Sequence, residues 1–444
     1  MNAIIQQSEL LIKDAPLTAA RFKVYTNKQL SNINQFNTLP EEVRFGVEVA
    51  ASVFPFRVNQ YVIDELIDWQ NWENDSIFRL VFPQKDMLSD EHYDALASAL
   101  KSGDKAALKT IVEQVRSTLN PHPAGQMELN VPTLDGEVVD GIQHKYRETV
   151  LFFPKQGQTC HSYCTFCFRW AQFIGDTDLQ FAGRDAQKLV NYLKANKEIT
   201  DVLFTGGDPL VMKTKNLAAY IDAIVNSNEL DHIRTIRIGT KALTFWPHRF
   251  VTDADSGDLL RLFERVIASG RHLTVMAHYN HWKELDTDIA KLAIARVRST
   301  GANIRSQGPL LQGINDDAND WARLWRDQVN NGITPYYMFV ERDTGARHYF
   351  EVPLVKAWHI YRDAMQQVSG ICRTARGPSM SAKPGKVEIQ GVTEVNGEKV
   401  LALRFIQGRD PDWVQRPFFA KYDESATWFD DLKPAFGEEK FFFE

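Results

Sequence analysis

Residues 160–167 read Cys160-His-Ser-Tyr-Cys164-Thr-Phe-Cys167, so three of the chain's four cysteines follow the spacing C-x-x-x-C-x-x-C. Thiolates on short loops of this kind hold iron–sulfur clusters, and a cubane cluster normally takes four ligands. The fourth cysteine, Cys372, is some two hundred residues away in sequence. The spacing therefore predicts a [4Fe–4S] cluster with three protein ligands and one open iron. An open position is what a metal site keeps when a ligand must bind there and react.

Three closely spaced cysteines are also used in two other kinds of structure, a zinc site and a disulfide framework. A structural zinc site needs four ligands, and His161 would have to be the fourth. Its place next to Cys160 is a poor separation for a tetrahedron. A disulfide framework is disfavoured by the odd number of clustered cysteines and by the expected lack of a secretory signal.

Composition narrows the classes of partner. The chain has 444 residues, 44% hydrophobic and 24% charged, with a net charge of −6. These values are ordinary for a globular protein and give no footprint for nucleic-acid binding. No apolar run approaches the roughly 20 residues that a membrane span needs. Few cysteines and an oxygen-sensitive cluster favour the reducing cytoplasm, so we expect a cytoplasmic protein without a nucleic-acid or membrane partner.

Three regions differ in their hydrophobic patterns. Residues 1–142 are predicted to be mostly helical, with helices starting near Pro40, Val62 and Asp90. Residues 143–372 alternate short apolar runs with amphipathic helices. Residues 373–444 form a C-terminal segment with strands expected from Val387 and Val400. Its aromatic end is expected to dock on the body of the chain or on another subunit.

The middle region predicts an α/β fold. Strands separated by helical stretches indicate βαβ units and a parallel sheet. Six such units imply a partial (β/α)6 barrel with a helical N-terminal region and a small C-terminal extension. The cysteine loop would follow the first strand, at the carboxyl edge where such sheets place their chemistry. The strand candidates begin at Val150, Val202, Thr235, Leu273, Asn303 and Tyr336.

A second motif follows the second predicted strand. It reads Thr205-Gly206-Gly207-Asp208. Paired glycines let a backbone approach a ligand closely because no Cβ intervenes. Alone, the segment could equally be a plain turn. Together with the cysteine loop it resembles the radical S-adenosylmethionine (SAM) enzymes, in which SAM chelates the open iron and the glycine-rich segment holds its amino group.

The resemblance is narrower over roughly residues 120 to 390, where the chain is similar to the lysine 2,3-aminomutase family. The family's pieces occur in family order: His144-Lys-Tyr, the cysteine loop with Arg169, the glycine segment, Arg237-Ile-Gly-Thr-Lys, Pro247-His-Arg, His278-Tyr-Asn-His, Ser306-Gln307, Leu311-Gln-Gly-Ile-Asn-Asp and Pro335-Tyr-Tyr. The resemblance implies an isomerase that uses SAM and pyridoxal phosphate (PLP) to move an amino group between adjacent carbons of a small amino acid. It also implies a flavodoxin- or ferredoxin-type electron donor and permits a homo-oligomer.

Roles follow from the resemblance by position. Arg169 would hold the substrate carboxylate, since a guanidinium matches two carboxylate oxygens. Lys145 would lie near the PLP phosphate, while Thr149 stands where another arginine is expected. Alignment on Pro378 makes Lys383 the PLP lysine, with Lys386 as the fallback. Further residues are expected around SAM: Thr205, Gly206, Gly207, Asp208, Thr240, Lys241, His278 and Gln307.

The residues expected to recognise the substrate differ from those of the lysine-specific members of the family. Two aspartates that hold the distant ammonium group in those members align with Arg342 and Arg376, with Asp343 one place off. Arginines there would repel an ammonium group and suit an anion. We therefore expect an acidic substrate. Two alternatives remain open: a PLP-independent radical SAM enzyme that performs epimerisation, elimination or peptide modification, and a non-catalytic iron–sulfur protein.

Overall fold

The strands and helices lie in residues 20–126, 128–175 and 181–444, the ranges that this computed structural model describes. The strands are β1 (Val24–Thr26), β2 (Arg57–Asn59), β3 (Thr133–Leu134), β4 (Glu137–Val138), β5 (Ile142–Tyr146), β6 (Thr149–Phe152), β7 (Asp201–Phe204), β8 (Thr235–Thr240), β9 (His272–His278), β10 (Asn303–Leu310), β11 (Thr334–Val340), β12 (Arg376–Ser381), β13 (Gly385–Val395), β14 (Glu398–Gly408) and β15 (Pro417–Lys421). The helices are α1 (Glu41–Val53), α2 (Ser76–Val81), α3 (Asp90–Ser102), α4 (Lys105–Thr118), α5 (Ala186–Ala195), α6 (Thr214–Val225), α7 (Ala242–Phe245), α8 (Ser256–Ala268), α9 (Asp288–Ser299), α10 (Ala318–Asn330), α11 (Arg347–Phe350) and α12 (Leu354–Gln366).

One sheet runs from β5 to β15, and its eleven strands are neighbours in chain order. β6 to β11 are parallel to one another, and β12 continues parallel to β11. Helices connect the successive parallel strands, as right-handed crossovers require. Every strand start predicted from the apolar runs of the middle region falls in this parallel part. The mixed α/β class is therefore confirmed.

Alternation along the strands explains how the sheet presents a site. In β6, Val150 and Phe152 are buried in the hydrophobic core against the helices. Thr149 and Leu151, the residues between them, line an interior cavity instead. Side chains of a strand point alternately to its two faces, so each parallel strand sends half of its residues into the core and half toward this cavity.

The N-terminal region packs its own hydrophobic core from α1 to α4. The helices predicted from Pro40 and Asp90 form as α1 and α3. The segment predicted to be helical from Val62 forms only a short π-helix, Val62–Leu66. Its apolar residues are buried in the N-terminal core. The apolar spacing at this point therefore reflects burial rather than a helix of several turns.

The C-terminal strands pair antiparallel beyond β12 and carry a third core. The strands predicted from Val387 and Val400 occur as β13 and β14. Phe441 is buried, with its ring centre 5.4 Å from that of Phe418 on β15. The aromatic end of the chain thus docks on the body of the protein. Among the described residues, no helix is long and apolar enough to cross a membrane.

Candidate active site

The cysteine loop is held from outside by the N-terminal region. The backbone amide of Tyr163 donates to the carbonyl of Arg57 at 2.7 Å, and that of Thr165 donates to the carbonyl of Leu80 at 2.9 Å. Phe166 belongs to the N-terminal hydrophobic core. The loop conformation therefore depends on strand β2 and helix α2, which lie far from it in sequence.

Asn59 is the central contact of this arrangement and was missed by sequence reasoning. Its side chain is fully buried. The amide Nδ2 donates to the carbonyl of His161 at 3.3 Å, to Ser162 Oγ at 3.0 Å and to the carbonyl of Phe245 at 2.7 Å. One side chain thus joins the cysteine loop to the segment that follows β8. Nothing in its local sequence signals this role.

A cavity of about 300 Å³, which we call the cysteine cavity, brings the motifs together. It is lined by Cys160, Cys164, Cys167, Arg169, Thr205, Gly206, Gly207, Asp208, Thr240, Lys241, His278, Gln307 and other residues. The structure therefore places on one cavity the three cysteines, Arg169 and every residue expected around SAM. These residues come from five different strand ends and their loops.

The cysteine set fits a cluster with one open corner. Each thiolate of a cubane binds a different iron, so the three side chains need to surround a common space rather than converge on one ion. The described residues contain no group of three Cys, His, Asp or Glu side chains that could hold a single metal ion. Cys372 is buried in the core of the sheet, 3.5 Å from Ser369 Oγ, and does not line the cavity.

Burial controls the protonation of the three cysteines. It raises the pKa of Cys160 and Cys164 well above the usual value, and raises the pKa of Cys167 to about 11. In the protein alone these groups are neutral thiols at pH 7. Bound iron would supply the positive charge that turns them into thiolates, as metal binding to cysteine releases protons.

The two glycines serve the contact between the glycine segment and the cysteine loop. A Cβ at Gly207 would lie 2.4 Å from the carbonyl oxygen of Thr159, and a Cβ at Gly206 would meet the Gln158 side chain at 2.3 Å. Gly206 also has a φ of +144°. The amide of Asp208 donates to the carbonyl of Thr159 at 2.7 Å. Only glycine allows the two loops to approach this closely.

Asp208 holds together several backbone and side-chain groups that line the cysteine cavity. Its buried carboxylate accepts hydrogen bonds from Thr240 Oγ1 at 2.8 Å and from the amides of Lys241 and Leu210, both at 2.9 Å. Burial raises the pKa of Asp208 to about 6, although these hydrogen bonds oppose the shift. Asp208 and Thr240 therefore satisfy each other and fix the geometry of the loop.

Lys241 is paired within the protein too. Its Nζ lies 2.6 Å from Glu284 Oε1, a fully buried carboxylate that sequence reasoning missed. It also donates to Asn280 Oδ1 at 2.9 Å. By contrast, Nε2 of His278 is buried without a hydrogen-bond partner, and burial holds the pKa of His278 well below its usual value. A neutral imidazole there can hydrogen-bond a ligand.

A second cavity of about 490 Å³, which we call the basic cavity, adjoins the first through shared lining residues such as Arg169, Gln307 and Arg342. Among the described residues, Asp201 is the one acidic side chain that lines it. Six Lys and Arg side chains line it: Lys145, Arg169, Arg237, Arg305, Arg342 and Lys386. An excess of basic side chains around a cavity favours anionic ligands.

Arg169 lies where the two cavities meet. Its guanidinium is buried, with Nη1 lacking a hydrogen-bond partner and the group 4.1 Å from the centre of the Phe153 ring. Burial lowers the pKa of Arg169 to about 9. A buried cationic donor without a partner is costly unless a ligand satisfies it, which fits a carboxylate.

Lys145 and Lys386 face the basic cavity as amines of lowered basicity. Burial, followed by repulsion from nearby cationic side chains, lowers the pKa of each to about 7. Nζ of Lys145 donates to the carbonyl of Ala382 at 2.6 Å. Nζ of Lys386 lies 4.1 Å from the centre of the Tyr337 ring. Desolvation of this kind is how proteins obtain a nucleophilic lysine near pH 7.

Lys383, the expected PLP lysine, is not brought to either cavity. It is exposed in the turn between β12 and β13, and its carbonyl accepts from Arg409 Nε at 2.9 Å. Lys386 is the cross-strand partner of Ser381 in the antiparallel pair, and both residues line the basic cavity. Partners in a sheet share a face, so the hairpin directs Lys386 inward and leaves Lys383 outside.

The two arginines aligned with the family's aspartates differ in position. Arg342 lines both cavities. Arg376 lines neither, and its guanidinium instead lies 4.5 Å from the centre of the Tyr336 ring and 4.2 Å from that of Tyr337. Asp343 also lies outside, where its carboxylate accepts from Asn120 Nδ2 at 3.2 Å.

Arg237 and Arg305 complete the basic cavity, although sequence reasoning assigned neither to an anion site. Arg237 Nε donates to Asp201 Oδ1 at 2.8 Å, and Thr149 Oγ1 donates to Asp201 Oδ2 at 3.0 Å. Arg237 is therefore neutralised by a carboxylate. Both arginines sit in β-strands, and only the alternation of side chains along the strand indicates that they point inward.

Three cysteines in a C-x-x-x-C-x-x-C loop after the first parallel strand, facing a glycine segment across one cavity, define a radical SAM enzyme. The comparisons give the family. The chain is 31% identical over 414 residues to a protein of Aquifex aeolicus provisionally named L-lysine 2,3-aminomutase. The alignment covers 93% of this chain and 97% of that protein. It is 32% identical over 254 residues to the L-lysine 2,3-aminomutase of Haemophilus influenzae, covering 57% and 70% of the two chains. The chain therefore belongs to the lysine 2,3-aminomutase family and is an isomerase of the radical SAM class.

Two further comparisons add less. No protein-family model matches the chain. Among solved structures, the radical SAM methyltransferase TsrM of Kitasatospora setae, with cobalamin and a [4Fe–4S] cluster bound, is similar over 49% of this chain and 42% of its own. With a TM-score of 0.30 and 10% identity, that likeness bears no weight on the fold.

Proposed function

We propose that this protein is a radical SAM aminomutase that uses PLP to move an amino group between adjacent carbons of an acidic amino acid. The observation that carries the proposal is the junction of the two cavities. The cysteine cavity fits the cluster and SAM, and the basic cavity beside it presents six basic side chains, among them Lys386 with its lowered pKa. When bound, the cluster and SAM supply a radical that removes hydrogen, and PLP carries the migrating nitrogen.

In this proposal the residues of the cysteine cavity bind and orient. Cys160, Cys164 and Cys167 hold the cluster and leave one iron open. Gly206 and Gly207 bring the glycine segment against the cysteine loop, so that its backbone can face the SAM amino group. The unpaired Nε2 of His278, together with Gln307, offers polar contacts to SAM. The Asp208–Thr240 and Lys241–Glu284 pairs keep this wall rigid.

We propose Lys386, and not Lys383, as the residue that holds PLP. Its burial, its place on the basic cavity and its lowered pKa support this choice. Lys145 is proposed to face the PLP phosphate. We further read the parallel strands β6 to β11 as the partial (β/α)6 barrel, with residues 1–142 and 373–444 as the flanking parts.

The acidic substrate is supported by the charges of the cavity. Arg169 is proposed to hold the carboxylate next to the migrating amino group, because its Nη1 is buried without a partner. Arg342 is proposed to hold the distant carboxylate. The relatives are named for lysine as their substrate. A lysine ammonium here would face Arg342, whose Nε lies 3.8 Å from Asp343 Oδ1. Glu341 also lines the cysteine cavity, but burial raises its pKa well above the usual value, which disfavours the carboxylate that an ammonium group would need.

The experiment is anaerobic reconstitution of the cluster, followed by SAM cleavage with a panel of acidic, neutral and basic amino acids, with and without PLP. The proposal expects 5′-deoxyadenosine and an isomerised product with acidic amino acids only when PLP is present. Borohydride trapping should place a pyridoxyl group on Lys386. Turnover of lysine well above that of acidic amino acids would contradict the substrate assignment.

Two other results would support rival functions. SAM cleavage without any pyridoxyl-lysine would favour a PLP-independent radical SAM enzyme. A cluster that forms but never cleaves SAM would favour a non-catalytic iron–sulfur protein. We also propose that the electron donor is a flavodoxin or a ferredoxin and that the protein is located in the cytoplasm, which suits an oxygen-sensitive cluster. Self-association is to be tested by measuring the mass of the protein in solution.

A further inference from the structure

Five side chains beside the basic cavity alternate between cations and aromatic rings. The guanidinium of Arg305 lies 5.1 Å from the centre of the Tyr336 ring, and that of Arg376 lies 4.5 Å from the same ring. Arg376 also lies 4.2 Å from the centre of the Tyr337 ring. Lys386 Nζ lies 4.1 Å from the Tyr337 ring. We call this series the cation–aromatic stack.

The two ends of the cation–aromatic stack line the basic cavity, but its middle cation does not. Arg305 and Lys386 are lining residues, whereas Arg376 does not line the cavity and contacts both tyrosine rings. Stacking uses the face of a guanidinium and leaves its N–H donors free at the edge of the plane. The stack therefore orients Arg305 while its hydrogen-bonding edge stays available.

Arg305 differs from its neighbour Arg237 in charge balance. Arg237 is paired with Asp201. Within residues 20–126, 128–175 and 181–444, the Arg305 guanidinium has no carboxylate within ion-pair distance and makes no hydrogen bond. It makes a cation–π contact with the ring of Tyr336. Lys386 and Arg376 add positive charge along the same stack. Such a set of cations is stabilised when an anion binds between them.

We propose that Arg305 binds an oxyanion of a ligand in the basic cavity, either the phosphate of PLP or a carboxylate of the substrate. The cation–aromatic stack holds the guanidinium in place. The inference deepens the proposed function and rests on it, because that function supplies the two ligands. It assigns a binding role to a residue that neither the motif spacing nor the family resemblance indicated.

The test compares Arg305→Gln and Arg305→Lys with Arg323→Gln in the full-length, cluster-reconstituted protein. Arg323 is a matched control because its guanidinium is also stacked, 3.2 Å from the centre of the Trp282 ring, but lies outside both cavities. Each protein is titrated with PLP, pyridoxal, inorganic phosphate, L-glutamate and L-norvaline. Loss of a charge-assisted hydrogen bond should weaken binding roughly tenfold or more.

The pattern of loss identifies the anion. Weaker binding of PLP and phosphate by Arg305→Gln, with pyridoxal unchanged, supports the phosphate. Weaker binding of L-glutamate, with L-norvaline unchanged, supports the carboxylate. Arg305→Lys keeps the charge without the planar fork and should retain part of the affinity. If Arg305→Gln binds every probe as Arg323→Gln does, the proposal is overturned.

Two further measurements separate this inference from the proposed function and from misfolding. Iron content equal to that of the wild type shows that a variant is folded around its cluster. Borohydride trapping in the wild type tests Lys386 and PLP independently of Arg305. Tyr336→Leu removes a ring of the stack without removing charge, and it should weaken the same probes as Arg305→Gln by a smaller factor. Unchanged binding by Tyr336→Leu would contradict the orienting role of the stack.

Discussion

The cysteine cavity and the basic cavity share a wall, yet they treat charge in opposite ways. In the cysteine cavity Asp208 bonds Thr240, and Lys241 pairs with Glu284, so the charged groups satisfy one another. Among the described residues that line the basic cavity, six Lys and Arg side chains face one carboxylate, which is already paired with Arg237. The cysteine cavity thus satisfies most of its charged groups internally, apart from Nη1 of Arg169, whereas the basic cavity carries an excess of basic side chains.

This difference indicates how each cavity works. Paired charges in a buried wall form a rigid surface that needs no ligand to be stable, which suits the positioning of a cluster and its open iron. An excess of basic over acidic side chains in a cavity makes binding selective, because a ligand without negative charge leaves that excess uncompensated. Selectivity for the substrate is therefore expected to reside in the basic cavity, and each prediction below tests that contrast.

Replacing any one of Cys160, Cys164 or Cys167 by serine should have the largest effect. With two thiolates left, the cluster loses its support, so iron should fall from about four atoms per chain toward none and SAM cleavage should be abolished. Iron analysis after anaerobic reconstitution measures this. Cys372→Ser is the matched control and should keep its iron, because Cys372 lies in the core of the sheet. Loss of iron in that variant as well would contradict the three-ligand assignment.

Lys386→Ala should abolish aminomutase turnover and the pyridoxyl label while leaving the iron content unchanged. The variant removes the buried amine of the basic cavity and does not touch the cysteine cavity. Peptide mapping after borohydride treatment is the measurement. Lys383→Ala provides the control, since its exposed side chain should be dispensable. A label on Lys383 would reverse the choice between the two lysines.

Arg342→Gln should lower kcat/KM for an acidic amino acid by roughly 10- to 100-fold, the effect of losing a charge-assisted hydrogen bond to a carboxylate. Turnover of a neutral amino acid should change little. The decisive measurement is therefore the ratio of kcat/KM for the acidic amino acid to kcat/KM for the neutral one, which we call the preference. Arg362→Gln is the control, because its exposed side chain lines neither cavity and should leave the preference as it was. A changed preference in Arg362→Gln would show that the effect is not specific to Arg342.

Asn59→Ala should lower the free energy of unfolding by about 1–3 kcal/mol, since it leaves buried partners of three hydrogen bonds unsatisfied. It should also slow cluster loading, because the cysteine loop loses its link to the segment after β8. Chemical denaturation and the rate of iron uptake measure the two effects. Asn74→Ala, on an exposed side chain, should change stability by no more than about 0.5 kcal/mol.

The smallest expected effect is on pH dependence. Burial, followed by Arg376 on β12, Arg237 on β8 and Lys145 on β5, lowers the pKa of Lys386 to about 7. A neutral amine is needed to attach PLP, so the rate of trapping should rise as pH increases through about 7 rather than near 10. Arg376→Gln removes one repelling charge and should move the midpoint upward by roughly half a unit. A midpoint near 10 in the wild type would show that the amine is solvated.

Particular residues illustrate how far sequence reasoning reached. The cysteine loop and the glycine segment are each continuous in sequence, and their spacing and their resemblance to radical SAM enzymes were enough to predict a site for a cluster and SAM. The same reasoning chose Lys383 over Lys386, because a gap-free alignment cannot tell which residue of a hairpin points inward. It missed Asn59, Glu284 and Arg305, each of which acts through residues on other elements.

The sequence by itself therefore determined the cluster loop, the α/β class and the family, because local spacing and alternating apolar runs are properties of neighbouring residues. Tertiary structure alone decided which lysine faces the basic cavity, that Arg342 lines it and Arg376 does not, and that the N-terminal region holds the cysteine loop. The physical reason is that burial, pairing of charges and the direction of a side chain depend on strand register and on contacts between elements distant in the chain.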